Sequence, residues 1–173
     1  ILDEMTAGQA ETVERGLDDV TDAGATGITI FNIDTFRPDF TFPTKAEQGQ
    51  GYLETFIGEG KNWSFVEGDG SDQNRVVRTT EKDPISQFCC TGLYQFATVN
   101  DFRWALDEER KNPSKNELYV APIYNHLIKF GRDIRYTVIP KENVIFCGVP
   151  VEYEALIKDG GKKFEEKFSN FNK

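Results

Sequence analysis

Asp34 is the residue whose position says most about chemistry. It ends the segment 27–34, a short apolar run rich in β-branched residues, which predicts a buried parallel strand. Ligands of open α/β sheets bind beyond the carboxyl ends of such strands. Mg²⁺ takes carboxylate oxygens and keeps waters and substrate phosphates as its other ligands. Asp34 is therefore a candidate metal ligand and catalytic residue. Equally, its carboxylate could cap the next turn through the amides of Thr35 or Phe36.

A second candidate is the pair Glu81 and Lys82, which follows a predicted strand. The ammonium group of Lys82 can bind a substrate phosphate, and the carboxylate of Glu81 can accept hydrogen bonds from two adjacent hydroxyls. The alternative is an exposed ion pair at a strand end, which would stabilise the fold very little.

The other reactive side chains do not suggest a site. His126 is the only histidine and there is no CxxC motif, which argues against zinc. The three cysteines, Cys89, Cys90 and Cys147, are an odd number in apolar stretches, which favours reduced thiols over disulfides. No neighbouring base or cation marks Cys89 or Cys90 as a nucleophile. We expect Cys89 and Cys90 to be core residues and His126 to be a partly buried structural or a surface histidine rather than a base.

The elements that must hold the candidates alternate between strand and helix. Apolar residues three and four apart predict helices at 6–20, 100–110 and 118–130, with Thr6 and Asn100-Asp101 as N-caps, and Pro150 predicts the start of another. Short apolar runs predict strands at 27–34, 52–57, 63–67, 75–80, 88–96, 134–139 and 144–147, with a hairpin at Gly68-Asp69-Gly70. A last amphipathic segment carries Phe164 and Phe168. This alternation predicts one α/β domain over 1–173 with a mixed sheet.

Net charge and hydropathy argue against some classes of function. The 173 residues include 20 Lys and Arg against 29 Asp and Glu, a net charge of −9, which argues against nucleic-acid binding but allows a small anionic substrate bound by a few local cations. No apolar run approaches the ~20 residues that span a bilayer, and the N-terminus lacks a secretory pattern. We expect a cytoplasmic protein with no membrane partner. Because residue 1 is Ile, we also expect a piece of a longer protein.

Five short motifs resemble, in order, those of the sugar-phosphate nucleotidyltransferases, the glycosyltransferase-A-like pyrophosphorylases. Asn32-Ile33-Asp34 is similar to the Asn-Gly-Asp or Gly-Asp-Asn segment whose aspartate binds the catalytic magnesium in that family. Four further segments resemble the family's Gly-x-Ala, Glu-Lys-Pro with Thr-Gly-Leu-Tyr, Gly-Glu-Leu and Gly-Thr-Pro-x-x-Tyr motifs: Thr6-Ala-Gly-Gln-Ala-Glu-Thr-Val13, Glu81-Lys82-Asp83-Pro84 with Cys90-Thr91-Gly92-Leu93-Tyr94, Asn116-Glu117-Leu118, and Cys147-Gly148-Val149-Pro150-Val151-Glu152-Tyr153. Their shared order makes the resemblance more specific than any single motif.

The resemblance implies a fold and a reaction. The fold would be the three-layer nucleotide-diphosphosugar transferase fold with a mixed sheet, N-terminally truncated so that this chain is its C-terminal two-thirds. The reaction would transfer a nucleoside monophosphate from a nucleoside triphosphate to a sugar-1-phosphate or related phosphorylated alcohol, releasing pyrophosphate, in capsule or lipopolysaccharide sugar biosynthesis. Asp34 would hold Mg²⁺.

The resemblance also implies roles for the other candidates. Gly8 and Gln9 would lie on the nucleotide side of the cleft, and Glu81 with Lys82 would bind the acceptor. Thr91 and Gly92 would line the acceptor pocket, although a glycine in a strand can equally serve close packing. Glu117 would contact the sugar. A glutamate at a helix start is common in any case, and for Glu117 we favour that interpretation.

Two departures from the family pattern bear on activity. The family places a second metal-binding aspartate two residues before the glycine of its Gly-Thr-Pro motif, where this chain has Phe146. The family also has a Gly-rich loop with an arginine, followed by a Pro-Lys segment, and this sequence has neither. Such a loop directs backbone N–H groups at phosphate oxygens. We therefore expect the isolated chain to be inactive.

Two other functions stay open at this stage. A glycosyltransferase of the same fold would also use a strand-end aspartate, usually in an Asp-x-Asp pair, where this chain has Asn32. A non-catalytic regulatory or assembly module would be consistent with Phe146. A homo-oligomer is a further expectation, because a truncated sheet would expose a strand edge.

Overall fold

The computed structural model describes residues 4–18, 20, 23–38, 40–72, 74–162 and 165. Its helices are α1 (Gln9–Leu17), α2 (Lys45–Gln48), α3 (Val99–Lys111), α4 (Val120–Lys129) and α5 (Pro150–Lys158). Its strands are β1 (Ile28–Phe31), β2 (Thr35–Phe36), β3 (Gly51–Ile57), β4 (Ser64–Gly68), β5 (Val76–Glu81), β6 (Phe88–Phe96), β7 (Ile134–Ile139) and β8 (Ile145–Phe146). The predicted segment around Phe164 and Phe168 lies outside the described residues.

The main sheet is built around β6, of whose nine residues seven are buried. Five of its strands follow the order β5-β4-β6-β3-β7, and the sixth, β1, also pairs with β6. β3 runs antiparallel to β6 along one edge and parallel to β7. The other edge of β6 is shared, because β4 pairs with Phe88 and Cys89 whereas β1 pairs with the residues from Leu93 to Phe96. The sheet therefore forks where β6 passes through residues 90–92.

Two apolar clusters lie on the two faces of this sheet. The larger one packs α1, α3 and α4 against it, with Phe96 stacked on Tyr124 of α4 at 4.3 Å between ring centroids. The smaller one contains Phe56, Phe65 and Cys89, and Phe146 of β8 packs on it. β8 pairs with β2 in a separate two-stranded sheet. The molecule thus has a helical layer, a mixed sheet and a thin third layer, which confirms the predicted fold class.

Most predicted elements are confirmed, including the hairpin, whose strands β4 and β5 are antiparallel. The prediction for segment 27–34 was wrong in pairing and burial. β1 covers only four of those residues, is antiparallel to β6, and buries only Ile30. The apolar run does not end with the strand but continues through a turn, which leaves Ile33 96% exposed. Asp34 therefore lies in the turn between β1 and β2 rather than at a strand end.

Two predicted helix caps were also wrong. α1 begins after Gly8, and Thr6 Oγ1 donates to the Gly8 carbonyl instead of capping the helix. α3 is capped by Thr98, whose Oγ1 accepts from the Asp101 amide at 2.9 Å. A single helical turn, α2, precedes β3 and is closed by a capping box between Thr44 and Glu47. In the described part of the chain, no helix combines the length and apolar character that crossing a membrane requires.

Candidate functional site

The fork of the sheet opens into a cleft of about 810 Å³. β1 and the turn after it form one wall, the start of β4 forms the other, and residues 90–92 of β6 form the floor. Five of the residues predicted from the sequence line the cleft, namely Gln9, Asp34, Glu81, Thr91 and Gly92. Gly8, Lys82 and Glu117 are not among its lining residues.

Asp34 is half-buried, and its carboxylate faces residue 148. A Cβ added to Gly148 would lie 2.6 Å from Asp34 Oδ2, so only glycine leaves room for the carboxylate there. The Asp34 carbonyl accepts from the Cys147 amide at 2.9 Å, which extends the β2–β8 pairing by one bond. The turn itself is closed by the Thr35 amide, which donates to the Asn32 carbonyl. The Asp34 carboxylate accepts a long bond of 3.4 Å from Thr35 Oγ1.

A chain of amide contacts joins α1 to the floor of the cleft. Gln9 Nε2 donates to Asn32 Oδ1, and the Asn32 amide donates to the Gly92 carbonyl at 3.1 Å. Gly92 has φ +95°, and a Cβ there would lie 2.6 Å from the Asn32 side chain. Gly92 therefore lines the cleft and also allows Asn32 to pack closely.

Glu81 lies at the end of β5 opposite Ser64 of β4 and is only 7% exposed. Its carboxylate accepts from Ser64 Oγ, which in turn accepts from the Tyr94 hydroxyl at 3.3 Å. Burial raises the pKa of Glu81 above its ordinary value, and the bond from Ser64 and the charge of Lys82 oppose that shift. Glu81 thus presents a carboxylate to the cleft that is hydrogen-bonded but has no salt-bridge partner among the described residues.

Lys82 is exposed and turns away from its sequence neighbour. Its Nζ donates to the Tyr119 hydroxyl at 2.7 Å and lies 4.8 Å from the centre of the Tyr119 ring. The bond to Tyr119 is the main reason that the pKa of Lys82 is raised. Since Tyr119 lines the cleft, the ammonium group stands at its rim. Glu81 and Lys82 are therefore not the simple exposed ion pair that was the alternative.

Thr91 uses its hydroxyl for the structure of the floor. It is 1% exposed, and its Oγ1 donates to Glu54 Oε1 at 3.0 Å. Glu54 also holds Arg37 through two parallel bonds of 2.8 and 3.0 Å, and both of these charged side chains are more than nine-tenths buried. Arg37 donates a third bond to the Asn143 carbonyl at 2.8 Å. Thr91 can thus offer a ligand only its backbone groups.

Gly8 and Glu117 stand behind the cleft. A Cβ on Gly8 would lie 2.6 Å from the Leu118 amide nitrogen, and the neighbouring backbone bonds run from the Ala10 amide to the Leu118 carbonyl and from the Leu118 amide to the Ala7 carbonyl. Gly8 therefore fixes α1 against the segment that carries Tyr119. Glu117 is exposed and lies three residues before the first residue of α4, whose first turn contains no acidic residue. The interpretation of Glu117 as a helix-start glutamate was therefore wrong, and its contact with a sugar stays a prediction.

Aromatic rings form the wall next to Asp34. Phe146 lies 4.8 Å from Trp63 and 5.1 Å from Phe56 between ring centroids, and it pairs with Thr35 across the β2–β8 ladder. Trp63 and Phe146 both line the cleft. The position where the resemblance led us to look for a second metal ligand is thus part of an apolar packing cluster.

The charged residues that line the cleft are all acidic: Asp34, Glu59, Glu81 and Glu152. Phosphate groups would be repelled by such a lining unless a cation accompanied them. Among the described residues there is no group of three or more His, Cys, Asp or Glu side chains that could hold a metal by themselves. Mg²⁺ does not need such a cage, because it is commonly bound by one or two carboxylates together with substrate phosphates and water. The Asp34 carboxylate, for which the bare Cα of Gly148 leaves room, fits that donor set.

Sequence reasoning missed several residues of the site. Asn32 and Glu152 lie inside motifs named above, but their side chains were given no role, and Tyr119 directly follows the Asn116-Glu117-Leu118 motif. Arg37 and Glu54 gave only a weak signal, because no local pattern shows that two residues distant in sequence form a buried ion pair. An arginine three residues beyond a candidate ligand, followed by a glutamate inside an apolar strand, is the hint the sequence offered.

Comparison with known proteins gives matches among solved structures. No protein-family model matches the chain, and no curated protein sequence matches it. The nucleoside-diphosphate-sugar pyrophosphorylase from Vibrio cholerae RC9 is similar with a TM-score of 0.83 and 45% sequence identity, over 91% of this chain and 67% of that one. An apo UDP-glucose pyrophosphorylase is similar with a TM-score of 0.71 and 16% identity, over 94% of this chain and 63% of that one.

The inositol-1-phosphate CTP transferase from T. maritima is similar with a TM-score of 0.62 and 12% identity, over 92% of this chain and 63% of that one. At such identities the last two proteins share the fold alone. The chain spans about two thirds of the length of the V. cholerae protein and somewhat less of the other two.

Proposed function

The chain belongs to the family of nucleoside-diphosphate-sugar pyrophosphorylases, which are sugar-phosphate nucleotidyltransferases, and we propose that the intact protein transfers a nucleoside monophosphate to a phosphorylated sugar or alcohol. The acceptor would be a sugar-1-phosphate or a similar phosphomonoester, and the donor a nucleoside triphosphate. The proposal rests on the convergence of four separate segments, which bring Gln9, Asp34, Glu81 and the Thr91-Gly92 pair to one cleft.

In this reaction an oxygen of the acceptor phosphate attacks the α-phosphorus of the triphosphate. A new P–O bond forms at the α-phosphorus, the bond to the β-phosphate oxygen breaks, and pyrophosphate leaves with the electron pair. The protein forms no covalent bond, so its contribution is to align the two substrates and stabilise charge. Gln9 and Asn32 would face the nucleotide, whereas Glu81 would bind acceptor hydroxyls and Lys82, at the rim, the acceptor phosphate.

Asp34 would hold Mg²⁺, which when bound neutralises negative charge on the transferring phosphate. The acidic lining of the cleft supports this role, since no lysine or arginine among the described lining residues could take it over. We further propose a cytoplasmic location, where nucleoside triphosphates are abundant, and a product used for capsule or lipopolysaccharide sugars, as the resemblance implied.

Pyrophosphate release tests the proposal. In the intact protein, a panel of nucleoside triphosphates and sugar-1-phosphates should give magnesium-dependent release. Asp34→Asn should keep the fold and lower the rate by orders of magnitude, because a neutral amide is a poorer magnesium ligand. We expect no release from the 173-residue chain alone, because its sequence has no Gly-rich phosphate loop.

Sugar transfer from a nucleotide sugar without pyrophosphate release would instead indicate a glycosyltransferase. Inactivity of the intact protein in both assays would favour a regulatory or assembly module.

A further inference from the structure

Two carboxylates of the cleft meet at a single residue, Gly148. Asp34 Oδ2 reaches it on the side where a Cβ would be, at 2.6 Å from that position. Glu152 Oε2 accepts from its amide at 3.1 Å and from the Val149 amide at 3.3 Å. Gly148 is thus in contact with both acidic side chains, and all three residues line the same cleft.

Glu152 has capacity for a further ligand. Both of its backbone donors bind Oε2, and in the described part of the chain no donor is recorded for Oε1 and no salt bridge for Glu152. The side chain is held in place all the same, because its bonds to Gly148 and Val149 close the first turn of α5. A carboxylate fixed by one oxygen and open at the other is well suited to bind a cation.

We propose that Glu152 supplies the second carboxylate of the divalent-metal site, in place of the residue at position 146. This inference rests on the proposed function, in which Asp34 holds the metal. Phe146 cannot act as a ligand, since its ring packs against Trp63 and Phe56. Glu152 reaches the same end of the cleft from the start of α5, six residues further along the chain. Because Mg²⁺ retains several waters, one carboxylate can bind it directly and the other through a coordinated water.

The competing explanation is that Glu152 serves only as a helix cap. The two roles can be separated, because glutamine also forms the reciprocal bond of a capping box but carries no charge. Glu152→Gln should therefore preserve α5 and weaken metal binding. Glu154→Gln is the matched control, since Glu154 lies on the same helix, is exposed and does not line the cleft.

The experiment uses Mn²⁺ alone as the probe with the ¹⁵N-labelled 173-residue chain. Substoichiometric Mn²⁺ should broaden the backbone amide signals around Gly148 and Asp34. The Mn²⁺ concentration needed for half the effect should rise about tenfold or more in Glu152→Gln and in Asp34→Asn, and stay unchanged in Glu154→Gln. Thermal unfolding without metal should be the same for Glu152→Gln and the unaltered chain, which excludes loss of the cap as the cause.

The outcomes separate this inference from the proposed function. Unchanged broadening in Glu152→Gln with a clear loss in Asp34→Asn would overturn the second ligand and leave Asp34 as the metal residue. Unchanged broadening in both variants, or none in the unaltered chain, would overturn the whole metal site. Nucleotidyl transfer itself is judged independently, by pyrophosphate release from the intact protein.

Discussion

Glu81 shows, at the scale of one residue, how a site is maintained at the expense of stability. Its carboxylate is buried and hydrogen-bonded to Ser64, and burial raises its pKa. A carboxyl whose pKa is raised in the folded state binds its proton more tightly there than in the unfolded chain. Above the folded-state pKa, the charged carboxylate therefore lowers the stability of the folded state. Below the unfolded-state pKa of 4.5, the carboxyl is protonated in both states and has no such effect.

We accordingly expect Glu81→Gln to stabilise the chain at pH 7. The gain should be about 1 kcal/mol, which raises the melting temperature by about 2–4 °C in a chain of this size. As the pH falls towards 4.5 the gain should disappear, because the wild-type carboxyl then becomes neutral. Thermal unfolding followed from pH 4.5 to 7.5 checks this. A variant less stable than the wild type at pH 7 would show that the charged form is favoured by contacts we have not identified.

Lys82 carries the second prediction at this scale. If its ammonium group at the rim binds the acceptor phosphate, Lys82→Ala in the intact protein should raise the KM for the acceptor about tenfold to a hundredfold, because a charged hydrogen bond contributes about 1.5–3 kcal/mol. The KM for the nucleotide should change much less, since the lost binding concerns only the acceptor. Steady-state kinetics with each substrate varied separately measure both. Lys61→Ala, an exposed lysine outside the cleft lining, is the control, and an unchanged acceptor KM in Lys82→Ala would remove Lys82 from the site.

At the scale of elements, the ion pair of Arg37 and Glu54 holds the layers together beneath the cleft. Arg37 follows β2, Glu54 lies in β3 where the register with β6 shifts, and the third bond of Arg37 reaches Asn143, 106 residues along the chain and just before β8. The pair thus fixes the strand that follows Asp34 to the main sheet. Neither partner contacts water appreciably, so each depends on the other to compensate its charge.

Removing one partner of this pair should be costly. We expect Arg37→Met to lower the free energy of unfolding by about 3–5 kcal/mol, because it leaves the Glu54 carboxylate buried without a counter-charge. Arg78→Met is the matched control. Arg78 donates one bond of similar length, 2.9 Å, to Glu67, but the side chains are 53% and 41% exposed, so its loss should cost less than about 1 kcal/mol. Urea unfolding of both variants decides, and equal losses would show that burial of the Arg37 pair has no energetic consequence.

How far each element could be predicted depended on whether its pattern is local. The boundaries of β6 and β7 were predicted to the residue, because both segments are rich in aromatic or β-branched residues and β7 lies between Gly131 and Pro140. The pairing of β1 was not, since four residues of similar character can be a buried parallel strand or an outer antiparallel one. The pairing of β1 is decided by the edge of β6 that it shares with β4, and the sequence of β1 does not indicate that edge.

The site divides in the same way. Asp34, Glu81 and the Thr91-Gly92 pair were predicted to share a site because their motifs occur in the order of the family, and they line one cleft. The cleft that unites them arises from the fork between β1 and β4, which involves pairings far apart in sequence. The structural use of the Thr91 hydroxyl could not be predicted either, because its partner Glu54 belongs to a neighbouring strand.

At the scale of the whole molecule, the two strands that edge the sheet next to the fork differ in whether their free side is covered. β5 is an edge strand, but Asn125 of α4 pairs with both the amide and the carbonyl of Thr79, at 2.9 and 2.8 Å, as another strand would. β1 pairs with β6 on one side, and in the described part of the chain no strand or side-chain amide pairs with its other side. An uncovered strand edge with apolar neighbours can pair with a second copy.

We expect the 173-residue chain to self-associate through β1. Thr29 is an exposed residue in the middle of β1, and Val77 is a 41% exposed residue of the covered strand β5. Thr29→Lys should weaken association about tenfold or more, because it places a solvated charge at the pairing edge. Val77→Lys should leave it unchanged, although both variants alter the net charge of −9 by the same amount. Sedimentation equilibrium of the three proteins provides the measurement. Equal weakening in the two variants would identify overall charge as the cause, and a wild-type chain that stays monomeric up to about 100 μM would show that the β1 edge does not act as an interface.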